Sequence, residues 1–201
     1  MSARVYLEGG GNSKEGKVRC REGFRKLFEK CGFSGRMPAL VACGARNDAY
    51  DDFKIAYAKA ASADFIGLLV DSEDPVADIE QTWQHVGQGA VDNWPKPSGA
   101  TEKQLMFMTT SMETWMVADR EALKAHFGPR LNESVLPAVQ NMEQRDRHAI
   151  LNALQVASRN CPGPYDKGPK SFELLSKLNP AVLEQHLPSF KRVRRIFDGN
   201  L

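Results

Sequence analysis

Apolar residues along this chain fall first into short unbroken runs and later into helical stripes, with the change near Gly128. The short runs are Arg4-Val5-Tyr6-Leu7 and residues 37–43, 65–70 and 105–110. Runs of this length without polar alternation read as strands buried on both faces, as in a helix-covered parallel sheet. Between the first two, residues 14–31 place Cys20, Phe24, Leu27, Phe28 and Cys31 on one helical stripe, and Gly32 fits its stop. Between the next two, residues 49–61 turn Phe53, Ala56, Tyr57 and Ala60 inward. The order β-α-β-α-β is what a parallel sheet with right-handed crossovers demands.

Residues 78–88 and 119–127 continue the helical pattern, the latter with Asp119 as cap. Beyond Gly128 only helices and loops are expected: residues 144–159, 171–178, 180–186 and 190–197. The pattern predicts an α/β, Rossmann-like core over residues 1–127, with a mostly parallel sheet of about four strands flanked by helices, and a helical section over 128–201 packed on it.

Composition narrows the setting. The chain has 201 residues, net charge +2, and four cysteines without a CxxC pair, which suits reduced, packed thiols in a cytosolic protein. No apolar run is long enough to span a membrane and no signal-peptide core is present, so a cytoplasmic location is expected. Basic residues cluster at 14–36 and again at Lys191, Arg192, Arg194 and Arg195. Each cluster is either a phosphate or acidic-protein contact or a solvated helix face.

The chemistry gathers at strand ends. Glu8 ends the first strand and runs into Gly9-Gly10-Gly11, which permit a sharp turn and close approach of a ligand. Asp71 and Glu73 follow the third strand, and if the extended conformation persists both carboxylates point to one side. Glu113 lies just beyond the fourth. In open α/β sheets, ligands bind outside the carboxyl ends of the strands, which is where these acids would meet. Hard oxygen donors without histidine or cysteine suit Mg²⁺ or Mn²⁺, the cations of phosphodiester chemistry. The competing reading makes residues 71–74 a solvated turn that caps the next helix. Lys167 and Lys170 could offset charge on a phosphate, and Lys14, Arg46 and Asn47 are further candidates for phosphate contact. Trp94 is a core residue or a stacking platform for a base.

With these residues in view, the chain resembles a known family. Glu8 at a strand end before glycines, followed by Asp71-Ser72-Glu73 after a hydrophobic strand, is similar to the Toprim signature of a lone glutamate and an Asp-x-Asp pair. More specifically, residues 6–14, 42–53, 69–74, 112–119 and the Lys167-Gly168 and 171–175 segments look like the bacterial domain of unknown function 4276. That resemblance implies a metal-dependent nuclease of DNA or RNA, related to the overcoming-lysogenization-defect nucleases and working in phage defence beside an ATPase of the ABC or AAA type. It also implies roles: Glu8 as general acid or base and ligand, Asp71 and Glu73 as metal ligands, Glu113 as the later acid and Lys167 as the late lysine. Two positions depart from the pattern. Glu73 is one methylene longer than the usual aspartate, and Asn12 lacks the charge relatives tend to carry, which leaves one or two metals open.

Two rivals remain. A Toprim-like chain without activity could serve as an adaptor or regulatory subunit of an ATPase, through its C-terminal basic helix. Residues 11–17 also match GxxxxGK after a strand, a nucleotide-binding pattern, but Val18 stands where a Ser or Thr should reach Mg²⁺.

Overall fold

The computed structural model describes residues 2–88 and 92–201. Its centre is β3 (Phe65–Asp71), in which every residue is buried. β3 pairs in parallel with β1 (Ala3–Glu8) and β4 (Leu105–Met108), and β1 pairs in parallel with β2 (Ala39–Gly44), giving the sheet order β2-β1-β3-β4. The mixed α/β fold with an all-parallel sheet is therefore as the pattern predicts. Register brings Leu7 beside Leu69, Glu8 beside Gly44 and Asp71 beside Met108, so the four strand ends finish level with one another.

Alternation along the strands loads two apolar layers. Val5, Leu7 and Leu69 face a large core shared with α1 (Lys14–Phe28) and helices from later in the chain. Tyr6, Leu68 and Val70 face a second core with α2 (Arg46–Lys59) and α3 (Thr82–Gln88). The large core is continuous across Gly128: the rings of Phe28 and Phe197 meet edge-to-face at 5.0 Å. The later helices are α4 (Met112–Ala118), α5 (Arg120–Phe127), α6 (Arg147–Ser158), α7 (Ser171–Leu175), α8 (Pro180–His186) and α9 (Pro188–Asp198).

Several boundaries differ from expectation, each for a local reason. α2 begins at Arg46 rather than near residue 49, which puts Arg46 and Asn47 in a helical turn instead of a loop. α3 begins at Thr82, because residues 78–81 form a turn closed by the Gln81 amide on the Asp78 carbonyl. β4 ends at Met108. The segment after it, to which the pattern assigns no element, contains α4, whose seven residues are all buried. A helix buried all round has no polar stripe, so periodicity cannot announce it.

The C-terminal basic cluster is largely paired, and the first cluster only in part. Arg19 pairs with Glu15, Arg25 with Glu29 and Arg36 with Asp198. Arg192 and Arg195 both engage Glu80, and Arg194 engages Glu184. Arg192 is 3 % exposed and donates to the Leu105 and Glu102 carbonyls at 2.9 and 2.6 Å, so α9 is fastened to the edge of β4 rather than presented as a basic face. No helix among the described residues is long and apolar enough to cross a membrane.

Candidate metal centre

The level strand ends bring the acids together. Beyond Glu8 the chain turns through Gly9, Gly10 and Gly11, all at positive φ, and Gly9 and Gly44 exchange backbone hydrogen bonds at 2.8 and 3.0 Å. At Gly10 the backbone of Gly16 and Lys17 lies so close that any side chain would collide. Ser13 then caps α1, its hydroxyl accepting from the Gly16 amide at 2.9 Å. The first-turn amide that a nucleotide-binding loop would offer a phosphate is thus already engaged.

Asp71 is the centre of the site. Its amide donates to Glu8 Oε2 at 3.0 Å, and its Oδ1 accepts from the Met112 amide at 2.8 Å. Glu8, Asp71 and Glu73 each offer a carboxylate oxygen, and these three oxygens lie within 4.8 Å of one another. Glu73 arrives differently from expectation. The strand stops at Asp71 and Glu73 has φ 71°, so its carboxylate reaches the cluster from a turn, not from a continued strand. The turn is held by the Glu73 amide on the Thr110 carbonyl at 3.0 Å.

Cations from other elements brace this cluster. Arg46 chelates Asp92 at 2.9 and 2.6 Å, donates to the Asp71 carbonyl, lies 3.7 Å from Glu8 and stacks 4.6 Å over Trp94. Arg147 pairs with Glu73. Arg46, predicted as a phosphate contact, is therefore turned inward on the acids. Asn47 accepts from Trp94 Nε1 at 3.1 Å, and Trp94 itself is buried and stacked on Tyr50 at 4.4 Å. That places Trp94 in the core and removes it as a platform for bases.

Glu113, on α4, is 1 % exposed. Its Oε1 accepts from the Tyr165 hydroxyl at 2.8 Å and lies 3.6 Å from Lys167 Nζ, while its buried Oε2 has no hydrogen-bond partner among the described residues. Lys167 is 56 % exposed and stands at the mouth of the site. Lys14 and Lys170 are exposed and do not line the cleft that holds the acids.

The electrostatics follow from this packing. Burial pushes the Asp71 carboxyl well above the usual range, and the nearby Glu8 and Glu113 push it further. Burial also raises Glu8, against the opposing pull of Arg46. Tyr165 is pushed up by burial and by Glu113. Carboxylates held in this way favour an added positive charge, either a proton or a cation.

Above Glu8 and Asp71 opens a cleft of about 430 Å³. The glycine turn, Asn12 and Ser13 form one rim, Lys167, Gly168 and Pro169 the other, and Met108, Met112 and Phe172 line it. Sequence patterning missed Tyr165, Asp92 and Arg147. Tyr165 sits in a loop of prolines and glycines without periodicity, and Asp92 and Arg147 are far in sequence from the side chains they meet.

Fold and site together define an α/β protein with a carboxylate cluster at the carboxyl edge of a parallel sheet. The chain belongs to the family described as Domain of unknown function (DUF4276), whose model matches residues 11–195. No curated protein and no solved structure matches it.

Proposed function

We propose that this chain is a Toprim-like, metal-dependent phosphodiesterase acting on nucleic acid, with Mg²⁺ or Mn²⁺ held by Glu8, Asp71 and Glu73. The observation that carries the reading is the convergence of those three oxygens within 4.8 Å at the edge where α/β sheets bind ligands. The donor set fits the ion: it is all carboxylate, and Glu113, whose buried Oε2 has no partner among the described residues, acts on Asp71 beside it. When bound, such a cation acts as a Lewis acid toward a phosphoryl oxygen.

The chain's own residues supply the rest. Glu8, a carboxylate at the base of the cleft, is placed to accept a proton from an attacking water. Lys167 places an ammonium beside the cleft, where it faces charge developing on the phosphate. Glu113 accepts from Tyr165 and lies beside Lys167, so it steadies the loop that carries the lysine. A role as effector of a phage-defence system working with an ATPase belongs to the same reading, and rests on the family resemblance.

The pairing of Glu73 with Arg147 and of Glu8 with Arg46 favours a second reading, in which the cluster is an internal ion network and the chain is a non-catalytic subunit of an ATPase. One experiment separates the two. Calorimetry with Mn²⁺ and Mg²⁺ on the wild type and Asp71→Asn is followed in the same samples by cleavage of mixed DNA and RNA. Binding and metal-dependent cleavage that Asp71→Asn abolishes establish the phosphodiesterase. A wild type that binds neither ion and cuts nothing leaves the adaptor.

A further inference from the structure

We propose that the cleft over Glu8 and Asp71 takes a single unpaired nucleotide, so that the substrate is single-stranded nucleic acid and a duplex is admitted only where it is open. The inference rests on the metal-centre reading and adds to it which form of nucleic acid the site accepts.

Three features carry it. The cleft, about 430 Å³, falls within the roughly 300–1,000 Å³ of pockets that enclose one small ligand. Glu8 and Asp71 lie at its base and not on an open face: Asp71 is 6 % exposed and the Glu8 side chain 20 %. A phosphate brought to them must therefore enter between the glycine turn and the segment Lys167 to Pro169, and the nucleoside attached to it must enter too. The lining matches that demand, because Met108, Met112 and Phe172 give an apolar wall for the flat face of a base while Lys167 offers charge to the backbone. In a duplex that face is already stacked and paired, and presenting it costs the energy of unstacking and unpairing. An apolar wall also reads no base edge, so little sequence preference is expected.

The test uses the full-length protein. Fluorescence anisotropy in Ca²⁺ compares a labelled short single strand with the same strand in a blunt duplex, as DNA and as RNA, and cleavage of the same substrates is followed in Mn²⁺. The expected result is binding and cleavage of the single strand by about ten-fold or more over the duplex, the scale of one stacked base. Equal or tighter binding of the blunt duplex, or no binding of either, overturns the inference. A wild type that prefers single strands in Ca²⁺ but cuts nothing supports the inference while the catalytic reading fails. Gly168→Phe gives a second arm. Gly168 lines the rim of the cleft and has ordinary φ and open space around its missing side chain, so a bulky ring can be placed at the rim without strain. It should weaken single-strand binding about ten-fold with an unchanged melting temperature. Unaltered binding counts against the cleft.

Discussion

The two ends of the sheet carry carboxylates in opposite states. At the carboxyl end, Glu8 and Asp71 are buried against each other and their proton affinity rises. At the amino end of β4, burial opposes ionisation of Glu80 and Glu102 as well, yet both fall below the usual range. Arg195 and Arg192 hold Glu80 ionised, and the Trp83 amide, Lys96 and Thr82 do the same for Glu102. The difference lies in the supply of donors. At the amino end the partners outweigh burial, whereas at the carboxyl end burial and neighbouring carboxylates outweigh Arg46 and the Met112 amide, so a proton or a cation is favoured there.

The largest expected effect comes from making the unsatisfied end resemble the satisfied one. Asp71→Asn keeps an oxygen for the Met112 amide and removes the charge, so metal affinity should fall by more than the roughly 10- to 100-fold that loss of an outer-shell partner costs. Without metal the variant should melt at or above the wild-type temperature, because like-charge repulsion is relieved. Melting well below wild type would show that the charge is structurally satisfied, as at the other end.

Next in size is a third buried acid, Glu143, which lies in neither set. It accepts from the Ser189 amide and hydroxyl at the start of α9, and burial carries its carboxyl from 4.5 to about 7 despite those bonds. The folded state therefore holds the proton more tightly than the unfolded state. Stability from this group is full below about pH 4.5 and is lost as pH rises toward about 7, by up to about 3 kcal/mol. Urea unfolding across that window should show the fall, and Glu143→Gln should flatten it. An unchanged slope in the variant would assign the pH dependence elsewhere.

The smallest of the three tests the fastening. Arg192→Met keeps apolar bulk but leaves the Leu105 and Glu102 carbonyls without their donor, at a cost of about 2 kcal/mol in urea unfolding. Metal binding by the same variant should be unchanged, since the opposite end of the sheet is untouched. A matching loss of metal affinity would show that the two ends are coupled through β3 and β4.

Much of this was legible in the chain and some could not be. Unbroken runs at residues 65–70 and 105–110 marked buried strands, and their order placed Glu8 and Asp71 at one edge. The glycine turn after Glu8 was visible because glycine is the residue that most readily takes positive φ. What escaped depends on long-range partners. Arg46 looked free in a polar loop, but its role is set by Asp92, a residue 46 positions away. Trp94, ahead of Pro95 in a breaker-rich loop, could be read as core or as a stacking platform, and its contacts with Tyr50 and Arg46 decide for core. Glu73 joined the cluster by a left-handed turn that no alternation rule describes.

The grip of Arg192 on β4 also governs how this protein meets its own copies. β4 is a border strand, and such borders template pairing with another chain when their carbonyls and amides are left open. Here a guanidinium from α9 occupies the Leu105 carbonyl, so the fold guards itself against growth of the sheet from that side. A chain cut before Pro188 would lose that guard together with Phe190 and Phe197 of the core, and its characteristic failure would be self-association into aggregates rather than simple unfolding.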